Sequence, residues 1–162
     1  MSTNFNLFTK FRNPPSLKHG EKLLTTLHCG NCIFMPIISK PRGSDRFNLK
    51  ILKYNFDSQI IEKTFKYPFN IALCSFHFSM DKETRIIYML WQKNGSHGAI
   101  KTVLVSCNMN NNKWKVLSKQ EWNKVNGFHF IASPVSALHV TCKDHYYYDT
   151  KNNKLTKFGN SG

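Results

Sequence analysis

The sequence predicts an all-β chain. Apolar residues alternate with polar ones in period two over most of its length, as in Phe47-Asn48-Leu49-Lys50-Ile51-Leu52-Lys53-Tyr54. The β-branched and aromatic runs stop at Asn-, Asp- and Gly-rich turn signals such as Lys93-Asn94-Gly95 and Asn108 to Asn112. The same order of runs then returns after about 50 residues, the mark of a repeated supersecondary unit.

Taken along the chain, the first unit reads Leu27-His28-Cys29, Cys32 to Ile38, Phe47 to Tyr54 and Ile60 to Phe65. The second reads Phe76-His77-Phe78, Ile86 to Trp91, Ala99 to Val105 and Lys113 to Leu117. The third is compressed: Phe128-His129-Phe130, Ala137 to Thr141, Tyr146 to Thr150 and Lys154 to Phe158, with Lys143-Asp144 as a tight turn inside it. The central histidines of the first runs lie 49 and 52 residues apart. Phe8-Thr9-Lys10-Phe11 matches Leu155-Thr156-Lys157-Phe158 and supplies an extra copy of the last run. Only Ser16 to Leu27 and Ser118 to Val125 compete as helix, and neither carries a long amphipathic stripe.

Four short strands per unit of about 50 residues describe a β-propeller blade, which cannot bury its sheet faces alone and stacks on its neighbours. The expectation is a partial β-propeller of about three four-stranded antiparallel blades. It divides into 1–22 (an N-terminal segment with one outer strand), 23–68, 69–119 and 120–158. Asn112-Lys113-Trp114, the turn from Tyr148 to Lys154, the inner-strand histidines and Ile86-Ile87-Tyr88-Met89 resemble the kelch family. The resemblance covers roughly residues 8 to 158 and lacks that family's glycine pair after the second strand, where Pro36-Ile37-Ile38, Leu90-Trp91-Gln92 and Val140-Thr141-Cys142 stand. Galactose-oxidase-like and F-box-associated propellers fit as well. The resemblance implies a protein-binding scaffold or adaptor whose loops hold the ligand.

The 162 residues carry 23 basic and 9 acidic side chains, a formal charge of +14. Such a balance can mark a polyanion binder. Only Arg12, Arg42, Arg46 and Arg85 are arginines, however, and the lysines are spread along the whole chain, which argues for solvated strand faces and against nucleic acid. No run of 18 apolar residues exists, so no membrane partner is expected. Five irregularly spaced cysteines and an N-terminus without an apolar signal core point to a reducing, cytoplasmic setting.

Cys29-Gly30-Asn31-Cys32 is the sharpest local motif. A thioredoxin-like site needs a helix after the first cysteine, and Ile33 to Ile38, with its internal Pro36, is a poor helix start. A hairpin turned by Gly30-Asn31 is expected instead. His28, His77 and His129 occupy matched positions, and structural roles satisfied by backbone are expected of them. No catalytic carboxylate pair, nucleophile elbow or phosphate-cradling glycine loop occurs, so neither catalysis nor a cofactor or metal is expected. Asp57 and Asp149 are expected to accept bonds from backbone amides two residues on, and Trp91, Trp114 and Trp122 to pack between blades. The loop Ser39 to Arg46 and its counterpart Gln92 to Gly98 are basic and glycine-bearing, which makes Lys40, Arg42, Arg46 and Lys93 the candidate binding residues.

The expected function is therefore a non-enzymatic protein-interaction module that binds another protein through blade loops, with self-association through open blade edges as a further partner mode. A thiol oxidoreductase built on Cys29 and Cys32 and a polyanion binder using the lysine-rich surface are the alternatives.

Overall fold

A computed structural model describes residues 16–67, 71–72, 75–98 and 100–160. The extra N-terminal run at Phe8 to Phe11 and Cys74 lie outside them. The fold is all-β, with three antiparallel sheets built on four-strand meanders; among the described residues the one 3-10 segment, Ser96–Gly98, is broken at His97 (φ 59). The chain divides into two compact units, Met1–Ala72 and Leu73–Gly162.

In the first unit, β2 (Leu27–Cys29), β3 (Cys32–Ser39), β4 (Arg46–Asn55) and β5 (Ile60–Lys66) form the meander. Two short strands extend it: β1 (Glu21–Leu23) pairs with β3, and β6 (Ile71–Ala72) pairs with β4. Pro36 is tolerated in the middle of β3 because β2 pairs with residues 32–34 and β1 with residues 37–39. The missing N–H therefore falls in the gap between those strands, and the Pro36 carbonyl accepts from Leu24 N (2.9 Å). Ile33, Met35 and Ile37 of β3 pack with Leu52, Tyr54 and Phe56.

The second unit holds two meanders. One comprises β7 (Ser75–Asp81), β8 (Ile86–Asn94), β9 (Ile100–Asn108) and β10 (Lys113–Trp122). The other comprises β11 (Gly127–Ile131), β12 (Ala137–Thr141), β13 (Asp144–Asp149) and β14 (Lys154–Asn160). Alternation puts Tyr88, Leu90 and Leu104 on one face of the first sheet and Phe128, Leu138, Val140 and Tyr148 on the facing side of the second, where they form one buried core. Trp122 stacks on Tyr146 (centroids 4.4 Å apart) and Tyr88 on Phe130 (5.6 Å), so aromatic pairs bridge the two sheets at its rim.

Gln92 fastens the segment that joins these sheets. It is buried, its Nε2 donates to Thr102 Oγ1 and to the Asn123 carbonyl (both 2.9 Å), and its Oε1 accepts from Val125 N (2.8 Å). The stretch from Ser118 to Val125 that competed as helix is thus the end of β10 and a strapped linker. Likewise Ser16 to Leu27 contributes β1 and the start of β2.

The turns repeat as the strands do. Asn55, Asn108 and Asp149 each end the third meander strand, and each accepts from the amide two residues on: Asp57 N (2.8 Å), Asn110 N (2.9 Å) and Lys151 N (2.9 Å). Four residues after each stands a non-glycine residue in the left-handed region, Gln59 (φ 59), Asn112 (φ 57) and Asn153 (φ 53). Asp81 and Arg85 (φ 59) build the same device between β7 and β8. The expectation held for Asp149. At Asp57 the acceptor is Asn55, two residues earlier, while the Asp57 carboxylate takes Asn31 Nδ2 (2.6 Å).

Candidate functional site

The basic loop predicted from the sequence joins β3 to β4 in the first unit. Residues 40–45 leave the sheet in a turn closed by Ser44 N donating to the Pro41 carbonyl (3.1 Å), and Gly43 takes φ 77. Ser44 Oγ accepts from Arg46 N (3.0 Å), which pins the return into β4. Lys40, Arg42 and Arg46 are exposed. The Lys40 ammonium lies 5.9 Å from the Phe47 ring centroid, a contact that directs its stem along the loop.

Beneath the loop, an open cavity of about 380 Å³ is lined by Ser39, Asn48, Leu49, Lys50, Lys66 and Tyr67. Strand register explains this lining. Ser39 lies opposite Asn48, and Lys50 opposite Lys66, so the alternation that buries Ile37 and Leu52 further along the sheet turns polar at this end. Lys50 is held by Glu21 (2.6 Å), and the bond from Lys50 draws the Glu21 carboxyl below its ordinary value, with Lys18 N adding to it. The loop and the cavity floor together present five cationic side chains, against Glu21 and Asp45.

Lys93, the fourth predicted contact, belongs to the second unit, exposed near the end of β8 and paired in register with Lys101. Gln92, read from the sequence as the start of its loop, is instead the buried clamp described above. Nothing in local periodicity marks it, because two of its three partners lie 31 and 33 residues away.

Cys29 and Cys32 face each other in register across a two-residue turn with Gly30 at φ 59, as the hairpin reading expected. Both are buried thiols, and the residues that follow form β3 and not the helix a thioredoxin-like site places there. The matched histidines have different surroundings. His28 is exposed on β2 and His129 on β11. His77 on β7 is half-buried and hydrogen-bonded to the Val125 backbone, and burial holds it below the ordinary histidine value. Among the described residues, no group of three or more His, Cys, Asp or Glu side chains is arranged to hold a metal ion. Among the same residues no helix is long and apolar enough to cross a membrane.

No protein-family model matches the chain, and no curated protein is significantly similar to it in sequence.

Proposed function

We propose that the chain is a non-enzymatic interaction module with a kelch-like repeat. In this reading it binds an acidic segment of another protein in the cytoplasm, and the β3–β4 loop is the point of contact. The observation that carries this reading is the join between an exposed basic loop and an open cavity of mixed lining, two lysines included, on one sheet end. Lys40, Arg42 and Arg46 offer charge to a diffusing partner, while Ser39, Asn48 and Lys66 offer hydrogen bonds within a recess that fits one or two side chains. Arg42 and Arg46 suit carboxylates because the guanidinium fork donates two parallel bonds. Lys93, exposed near the end of β8, is a candidate contact of the second unit on its own.

Fluorescence anisotropy with a labelled glutamate-rich peptide tests the reading. Binding should weaken as salt rises, and the Arg42→Ala, Arg46→Ala double variant should lose about tenfold in affinity. Unchanged affinity in the double variant, or no binding at low salt, would overturn it.

A further inference from the structure

The two faces of the β11–β14 sheet are built from different chemistry. One is the apolar core face of Phe128, Leu138, Val140 and Tyr148. The other carries His129 on β11, His139 and Thr141 on β12, His145 and Tyr147 on β13, and Thr156 and Phe158 on β14. Register aligns His129 with His139, His139 with Tyr147, and Tyr147 with Thr156, so the rings form a row running across the strands.

The row is ordered. The His139 and Tyr147 rings are stacked (4.8 Å, 11°), and Phe158 meets Tyr147 edge-on (5.5 Å, 87°). His139 Nε2 and His145 Nδ1 share a hydrogen bond (3.1 Å), and Thr141 Oγ1 lies 3.4 Å from the same His139 nitrogen. Gly127 lets Thr141 pack closely against β11, since a Cβ there would stand 3.3 Å from Thr141 Cβ. The row ends in solvent on both sides: His129 is exposed, and Phe158 is 64% exposed. Three strand spacings separate these ends, about 14 Å.

We propose that this face binds single-stranded nucleic acid, with Phe158 and His129 as stacking platforms. Flat rings on an open antiparallel sheet suit unpaired bases, because every base has a π-face. The Thr156 hydroxyl and the His129 ring nitrogens provide donors and acceptors for base edges. Charge agrees with an anionic backbone. From residue 124 to 160 the chain has Lys124, Lys143, Lys151, Lys154 and Lys157 against Asp144 and Asp149. Asp144 and Lys157 pair (3.4 Å) and offset one another, and the Asp149 carboxylate accepts from turn amides, so the balance is carried by the other lysines. A second sheet or a second copy of the chain would demand an apolar face like the one on the opposite side, and imidazole and hydroxyl groups are poor material for that. The scattered lysines, which as a sequence feature spoke against nucleic acid, here act as a general attraction to a site whose affinity comes from rings.

The test measures binding of labelled oligo-dT to the whole chain, at low salt, for the unmodified protein and for Phe158→Ala, His129→Ala and Phe158→Trp. Both positions are exposed, so the fold persists, which circular dichroism checks. The expected result is about tenfold weaker binding for each alanine variant and full binding for Phe158→Trp. The same sequence as a duplex should bind more weakly, and a glutamate-rich peptide should not displace the oligonucleotide. Equal binding by the alanine variants would assign the affinity to diffuse lysine charge and overturn the proposal. So would no binding at low salt, or displacement by the acidic peptide as efficient as by unlabelled oligo-dT.

Discussion

The carbonyl of Asn31, in the β2–β3 turn, accepts a hydrogen bond from the backbone amide of Phe56, in the β4–β5 turn (2.8 Å). The bond recurs in the other two sheets, from Met109 N to the Arg85 carbonyl (2.9 Å) and from Thr150 N to the Ser136 carbonyl (3.1 Å). In each case the donor directly follows the Asx residue that ends the third strand. One end of every meander is thereby closed by two turns bonded to each other.

This arrangement makes the turn residues differ in which substitutions they tolerate. Asn108→Ala removes the acceptor for Asn110 N in an exposed turn and should lower stability by about 1 kcal/mol. Asn112→Ala places a Cβ at φ 57 without asparagine's tolerance of that region and should lose about 1 kcal/mol as well. Asn112→Gly should be neutral within about 0.5 kcal/mol. Urea unfolding of the three variants checks the order.

Gln92 joins two sheets through one side chain. Gln92→Leu keeps much of the volume but leaves Val125 N and the Asn123 carbonyl without their partner, for a loss of about 2–4 kcal/mol. Gln92→Glu retains the acceptor for Val125 N and loses the donor, and it buries a charge, so it should fall below the wild type too. A thermal melt showing Gln92→Leu at wild-type stability would refute the clamp.

Tyr88 provides an alkaline limit. Burial pushes its hydroxyl up to about 12, although the bond to Thr150 opposes the shift. The folded chain refuses a deprotonation that the unfolded chain accepts at about 10. Stability is therefore full below pH 10 and declines as pH rises through 10 toward 12. In Tyr88→Phe this part of the decline should vanish from urea midpoints recorded across the range.

The acid side depends on His77 and His139. Burial holds both below the ordinary histidine value, with Lys124 adding to it at His77 and with His145 and His129 adding to it at His139. The unfolded chain then binds protons that the folded chain excludes. Stability is full above pH 6.5 and falls as pH drops below it toward the lowered folded values. Replacing His139 with Gln should flatten the acid slope of the unfolding midpoint, and an unchanged slope would remove His139 from this account.

Much of the strand pattern was legible because β-branched alternation and Asn/Asp turn signals are local. Ile86 to Trp91 and Lys154 to Phe158 fall inside β8 and β14. What escaped depends on register between strands. His139, His145 and Tyr147 are ordinary residues in separate runs until pairing sets them side by side. Asp57 and Asn55 sit in one turn with the same chemistry, and only the backbone path decides which of them accepts from an amide two residues on. The basic loop was visible as composition, whereas the cavity below it required Ser39 to meet Asn48 and Lys50 to meet Lys66.

The pairing order also governs how the chain reaches this fold. In the β7–β10 and β11–β14 sheets every strand bonds only to its immediate predecessor and successor in the chain. Each step closes a short loop, so the entropy lost before a contact forms is small, and the sheets can zip hairpin by hairpin. β1 with β3 and β4 with β6 are the exceptions, since each pair must wait for the strand between them in the sequence. The first unit thus has a late step that the meanders of the second unit do not need.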